Sequence, residues 1–287
     1  MAKIAFYETH EPIANQLRQF SVPDDIVRFW WLGQAGFIFL YKNFRLMIDP
    51  YLSDFLAGKY AGKEFAHVRM MPPPIRPPEV KNLDWLLCSH AHSDHMDPKT
   101  VSEVMQNNPE CRIVAPAAEM GKIRAIGLDL DRATPADEGD CVDLAEDVSV
   151  SVIASAHEQI KTNEAGQHYF LGYTIRFGRF TVYHAGDCAP YTGLEDKLRD
   201  KNIDLAMMPV NGRDEYRTSR NIIGNFTLDE SVALCRRLNI PLMMCHHFGM
   251  FDFNTVDPEV LRGRIDELGA GESVFVPQIH RCYLLSN

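Results

Sequence analysis

Apolar and polar positions alternate along this chain mostly with the period of strands, and helical spacing enters in the gaps. IVRFWWL, GFIFLY and FRLMIDPYL read as three strands, parted by turn signals at residues 33–36 and at Lys42-Asn43. They open an antiparallel meander. Ahead of them, THEPIANQLRQFSVPDD predicts a short helix with Leu17 and Phe20 inward, stopped by Pro23. RMMPPPIRPPEV carries five prolines, so it predicts an extended surface loop rather than a helix or central strand.

LDWLLCSH is a short continuous apolar run, the pattern of a strand buried on both faces. Helical spacing follows over residues 98–106, with Pro98 in the first turn. RIVAP predicts a strand, AAEMGKIRAIG a helix ending at Gly127, and VSVSVIAS a half-buried strand. YFLGYTIRFG and RFTVYHAGD predict a hairpin turned at Gly178-Arg179. Helices over 193–200, 228–238 and 258–268 then alternate with the strands IDLAMMPV, PLMMCHH, SVFVPQ and RCYLL. No 20–50-residue repeat or linker interrupts the order, which predicts one α/β domain over 1–287 with helices covering the outer faces of its sheets.

Composition narrows the function. With 29 Lys+Arg against 39 Asp+Glu the net charge is −10, and no basic stripe is present to follow a phosphate backbone, so the reading is no nucleic acid. No run approaches the ~20 apolar residues of a membrane span, and MAKIAFYETHEP has no apolar signal region, so it is also no membrane. The seven cysteines form no CxxC pair and sit mostly in apolar stretches, which points to reduced thiols and a cytoplasmic protein.

Eleven histidines are present, and they are not evenly spread. LLCSHAHSDHMDP places His90, His92, Asp94 and His95 within six residues, between a buried strand and a helix. Imidazole and carboxylate are both ligands for borderline divalent metals, and four such groups this close would compete for protons without a common partner. One loop cannot complete such a site. His157, Asp187 and the pair His246-His247 each follow an apolar strand directly and could reach the same sheet edge. A lone strand-end histidine is ordinarily a satisfied packing residue; the joint pattern reverses that expectation.

HAHSDH is similar to the HxHxDH signature of the metallo-β-lactamase superfamily. WWLGQAGFIF, DPYLSD, YHAGDCAPY, the segment 208–227 and CHHFGMFDFNTVDP further resemble the L-ascorbate-6-phosphate lactonase subfamily and its relatives. The resemblance covers nearly the whole chain from WLGQAGF onward. It implies a four-layered αββα sandwich with mostly antiparallel or mixed sheets. It also implies two divalent metal ions, manganese or zinc, with iron admitted by the mixed donor set.

By the same resemblance His90, His92 and His157 belong to one metal site, Asp94, His95 and a late histidine to the other, and Asp187 bridges them. Counting along the strand favours His246 as the late ligand, while counting back from Gly249 favours His247; His246 is the expectation adopted. His184 is expected to support or pack rather than ligate.

The chemistry implied is a hydroxide nucleophile made at neutral pH, attacking a lactone or ester carbonyl, with Asp94 orienting it and passing a proton to the leaving oxygen. The substrate expected is a small, anionic, sugar-phosphate-like molecule. Arg213 and Arg217 in PVNGRDEYRTSRN, a loop that also carries Arg220, are expected to bind its charge and Tyr191 to wall the pocket, as could Phe248, Phe251 and Phe253. Two other readings stay open: a phosphodiesterase of the same superfamily, and a non-hydrolytic di-iron redox protein. A homo-oligomer is also compatible with the sequence.

Overall fold

The structure is a computed structural model that describes residues 2–8, 11–18 and 21–287. Its strands in chain order are β1 (Lys3–Glu8), β2 (Val27–Gly33), β3 (Gly36–Tyr41), β4 (Phe44–Ile48), β5 (Trp85–Leu87), β6 (Arg112–Pro116), β7 (Ala133–Ala136), β8 (Cys141–Ala145), β9 (Val148–Ala154), β10 (Leu171–Phe177), β11 (Phe180–His184), β12 (Leu205–Pro209), β13 (Leu242–His246), β14 (Val274–Phe275) and β15 (Arg281–Ser286). They form two mixed sheets, ordered β1-β15-β2-β3-β4-β5-β6-β7 and β14-β13-β12-β11-β10-β9-β8. The expected α/β architecture of two mixed sheets with helices is therefore met.

The first sheet shows how a period of two builds two cores. Phe29 and Trp31 of β2, Phe37 and Phe39 of β3, and Leu46 and Ile48 of β4 join the core shared with the second sheet. Their neighbours Trp30, Leu32, Ile38, Leu40 and Met47 pack on the other face against Val101, Val104 and Met105 of the helix Pro98–Asn107. Both faces are covered, so these strands read as nearly unbroken apolar runs. On the second sheet, Val232 and Leu234 of the helix Leu228–Arg237 and Leu261 and Ile265 of the helix Pro258–Glu267 extend the shared core.

Parallel neighbours need crossover connections, and helices fill that role. β4, β5, β6 and β7 run parallel, as do β11, β12, β13 and β14. Pro98–Asn107 links β5 to β6, and Leu228–Arg237 links β12 to β13. The carboxyl ends of β4, β5, β11 and β13 are thereby free to carry loops, the usual place for a site in an open parallel sheet.

The start of the chain departs from expectation. Residues 3–8 form strand β1, paired antiparallel to β15. The helix that follows is one short turn, Ile13–Gln16, with Leu17 buried behind it. Phe20, expected to point inward, lies outside the described residues. β7, β8 and the helix Phe55–Lys59 were not expected either.

Candidate metal centre

The loop after β5 carries the first candidate ligands, His90, His92, Asp94 and His95. Ser89 donates its backbone N–H (2.7 Å) and its hydroxyl (2.5 Å) to Asp49, which follows β4. His92 O accepts from the N–H groups of His95 (3.0 Å) and Met96 (2.8 Å), closing a turn. Asp97 then caps the helix Pro98–Asn107, accepting from Lys99 N at 3.1 Å and from the Ser53 hydroxyl at 2.6 Å. The loop is thus tied at both ends, which fixes the imidazoles between.

The sheet ends bring the remaining groups to it. His157 follows β9, Asp187 follows β11, and His247 follows β13. Gly186, at φ +59°, is required next to Asp187: a Cβ there would meet Leu171 O at 2.7 Å and Ser89 Cβ at 2.8 Å. Only glycine lets the β11 end approach the histidine loop this closely.

Two clusters result. His90, His92, His157 and Asp187 each present one donor atom, all within 4.8 Å of one another, and so do Asp94, His95 and His247. Asp187 faces both clusters. Its Oδ2 lies 4.0 Å from His90 Nε2 and 3.8 Å from His157 Nε2. Its Oδ1 lies 3.2 Å from both His95 Nε2 and His247 Nε2.

The late histidine is corrected by the geometry. His246 ends β13 inside the core, its ring stacked on His184 (4.9 Å, 4°) and edge-on to Phe37. His247 adopts φ +61°, which swings its own side chain back toward the clusters. His247 N donates to Gln34 O at 2.9 Å, and Gln34 Nε2 lies 3.1 Å from His247 Nε2. His184 packs as expected, bonded to Ala35 O at 2.8 Å and accepting from Gly186 N at 3.1 Å.

The donors suit a divalent cation. His90 Nε2, His95 Nε2 and Asp187 Oδ1 are buried without a hydrogen-bond partner among the described residues. Such orphaned buried atoms are costly unless something else satisfies them. Burial pushes His90 well below its ordinary pKa, lowers His92, and brings His157 to about 4. These rings are neutral near pH 7 and offer lone pairs, as metal ligands must. Burial opposes ionisation of Asp187, but His247 and His95 outweigh it and hold its carboxyl well below the usual range. Asp94 is lowered in the same sense, chiefly by His95 against its burial.

Two supporting residues were not singled out from the sequence. Asp49 Oδ2 accepts from His95 Nδ1 at 2.8 Å, and Gln34 Nε2 donates to Asp94 Oδ2 at 2.9 Å. Buried carboxylate and amide partners of this kind orient ligands.

The clusters open into a cavity of about 570 Å³. Asp94, His157, Asp187 and His247 lie at its floor; Arg213, Arg217 and Tyr191 do not line it. Arg213 is engaged by Glu230 (2.6 and 2.7 Å). Arg217 is held by Asp214 (2.6 Å) and Asn254 (2.9 Å), and the Tyr191 hydroxyl donates to Ala154 O (2.5 Å). The expectation that these three meet substrate is therefore corrected: local carboxylates and backbone satisfy them. Phe251 and Phe253 do line the cavity, while Phe248 stacks on Trp31 in the core.

Two mixed sheets with a doubled His/Asp centre at their strand ends define a metallo-β-lactamase-like hydrolase. Residues 44–248 match the model of the beta-lactamase superfamily domain, and the chain belongs to that superfamily as a metal-dependent hydrolase. It is 25% identical over 245 residues to a UPF0173 metal-dependent hydrolase of Nanoarchaeum equitans, covering 83% of this chain and 92% of that one. Its fold is similar to that of an isothiocyanate hydrolase from Delia radicum gut bacteria, at a TM-score of 0.68 and 15% identity, covering 88% of this chain and 96% of that one. CmlA, a diiron β-hydroxylase from Streptomyces venezuelae, shares the fold at a TM-score of 0.63 and 15% identity over 91% of this chain and 54% of its own.

Proposed function

We propose that this hydrolase opens a lactone or ester of a small anionic substrate at two divalent ions, held by His90, His92 and His157 on one side and Asp94, His95 and His247 on the other. The observation that carries this reading is Asp187, whose two oxygens face the two clusters separately. Bound divalent ions would supply acidified water as nucleophile and polarise the carbonyl under attack.

The chain's own residues do the rest. Asp49 holds the His95 ring by Nδ1 so that Nε2 faces the centre. Gln34 fixes Asp94 by Oδ2, which leaves Oδ1 to take a proton and hand it to the leaving oxygen. His247, tied to Gln34 O through its backbone N–H, closes the floor from the second sheet. Phe251 and Phe253 give the cavity an apolar side.

Manganese or zinc suits these donors, and iron fits them as well; the diiron neighbour makes iron the competitor to exclude by elemental analysis. Residues 1–287 act as one domain in this reading, since β15 from the far end of the chain sits between β1 and β2. Among the described residues no helix is long and apolar enough to cross a membrane, and the seven cysteines are free. Those free thiols support a reducing, cytoplasmic setting. Assay of the metal-loaded protein on a panel of lactones and aryl esters beside bis-para-nitrophenyl phosphate tests the reaction. Turnover of the carbonyl substrates is expected; turnover of the diester alone would make it a phosphodiesterase.

A further inference from the structure

The chain is acidic, at −10 overall, yet the cavity mouth is basic. Lys59, Lys63, Lys122 and Arg220 line it, with Glu64 as the nearby carboxylate. Arg220 approaches Glu64 at 3.8 Å. No ion pair of Lys59, Lys63 or Lys122 is found among the described residues. Two of these ammonium groups flank a single ring: Lys59 Nζ is 5.4 Å and Lys63 Nζ 4.8 Å from the centroid of Tyr60. Like charges gathered on one surface repel, and an anion between them relieves that repulsion.

Behind the lysines stands an aromatic wall. Tyr60 stacks on His67 at 4.1 Å. His67 in turn meets Phe251 (4.9 Å) and Phe253 (4.8 Å) edge-on, and Phe251 stacks on Phe253 at 5.9 Å. Ile222 and Ile223 also line the cavity. At about 570 Å³ the cavity exceeds what a bare lactone ring fills and falls in the range of sites that enclose a whole small molecule.

We propose that this cavity takes an amphipathic anion: a hydrolysable carbonyl at the metal floor, a flat apolar body against the Tyr60–His67–Phe251–Phe253 wall, and a carboxylate or phosphate held by Lys59 and Lys63. The assignment rests on the hydrolase reading for its floor alone; the wall and rim stand on their own geometry. It moves recognition of the anion from the Arg213–Arg217 loop to the segment that follows the helix Phe55–Lys59 and its last residue.

The test uses naphthalene-2-sulfonate and its neutral counterpart 2-(methylsulfonyl)naphthalene, titrated by fluorescence into the metal-loaded protein. The anion is expected to bind about tenfold more tightly than the neutral probe. The double variant Lys59→Gln/Lys63→Gln should erase that preference while leaving metal content intact, and His67→Ala should weaken both probes. Equal binding of the two probes to the native protein, or a preference that survives in the double variant, would overturn the proposal. Competition by benzoate and by phenylphosphonate then separates a carboxylate from a phosphate: the stronger competitor marks the natural group, and displacement by neither contradicts the anion site. The readout is binding, so a protein that prefers the anion but hydrolyses no ester would refute the proposed reaction and leave this pocket standing.

Discussion

Asp49 Oδ2 lies 2.8 Å from His95 Nδ1, and that bond decides which nitrogen of His95 faces Asp187. Burial opposes a charge on His95, but Asp187, Asp49 and Asp94 together outweigh it and hold its pKa well above the ordinary value. The same carboxylates that attract a proton there would attract a divalent ion. Replacing Asp49 with Ala removes the acceptor for His95 and for both Ser89 donors. Metal affinity should fall by roughly 10–100-fold, as for other removed ligand partners, and competition with a chromogenic chelator measures it.

Gln34 gives a subtler test. Its amide reaches Asp94 (2.9 Å) and its backbone carbonyl accepts from His247 N (2.9 Å) and Trp31 Nε1 (3.0 Å). Gln34→Leu keeps the backbone bonds and removes the side-chain contacts to Asp94 and to His247 Nε2 (3.1 Å). We expect about a tenfold loss in kcat with bound metal unchanged, in keeping with a positioning role. A fall in metal content together with kcat would show instead that Gln34 builds the site.

Arg213 and Arg217, which stand off the cavity, should be kinetically quiet. Arg213→Ala breaks an exposed pair with Glu230, the residue that also closes the N-cap of the helix Leu228–Arg237 with Thr227. Exposed pairs contribute about 0–1 kcal/mol, so a small drop in thermal midpoint and an unchanged KM are expected. A raised KM for an anionic substrate would return this loop to the site.

His67 supplies the pH dependence. Its burial among the aromatic rings lowers its pKa below the ordinary value. The unfolded chain therefore takes up this proton first as pH falls, and folding stability is lost from about pH 6.5 down to the lower folded pKa. His67→Phe should flatten that part of the profile. Thermal melts at pH 7.5, 6.5 and 5.5 would show it as a smaller drop in midpoint on acidification.

Much of this was legible in the sequence because burial on both faces leaves a strong signal. β3 and β6 fall on GFIFLY and RIVAP, and the capped helix at Pro98 was visible from its proline and spacing. β1 was not, because it is an edge strand whose side chains are mostly exposed, so KIAFYE carries no inward stripe. The histidine loop was readable from local density alone. The choice between His246 and His247 was not, since alternation along β13 holds only until the positive φ at His247 reverses it. Asp49 was hidden for another reason: it stands at the end of an apolar run, and only the pairing of β4 with β5 brings it beside Ser89. Arg213 misled because its partner Glu230, on the helix Leu228–Arg237, could not be placed before the fold was known.

The central claim is a doubled centre bridged by Asp187 and completed by His247. Elemental analysis of the native protein, His246→Gln and His247→Gln, each loaded with manganese or zinc and desalted, tests it most directly. About two metal equivalents per chain are expected in the native protein and in His246→Gln, and about one in His247→Gln. One equivalent in His246→Gln beside two in His247→Gln would contradict it.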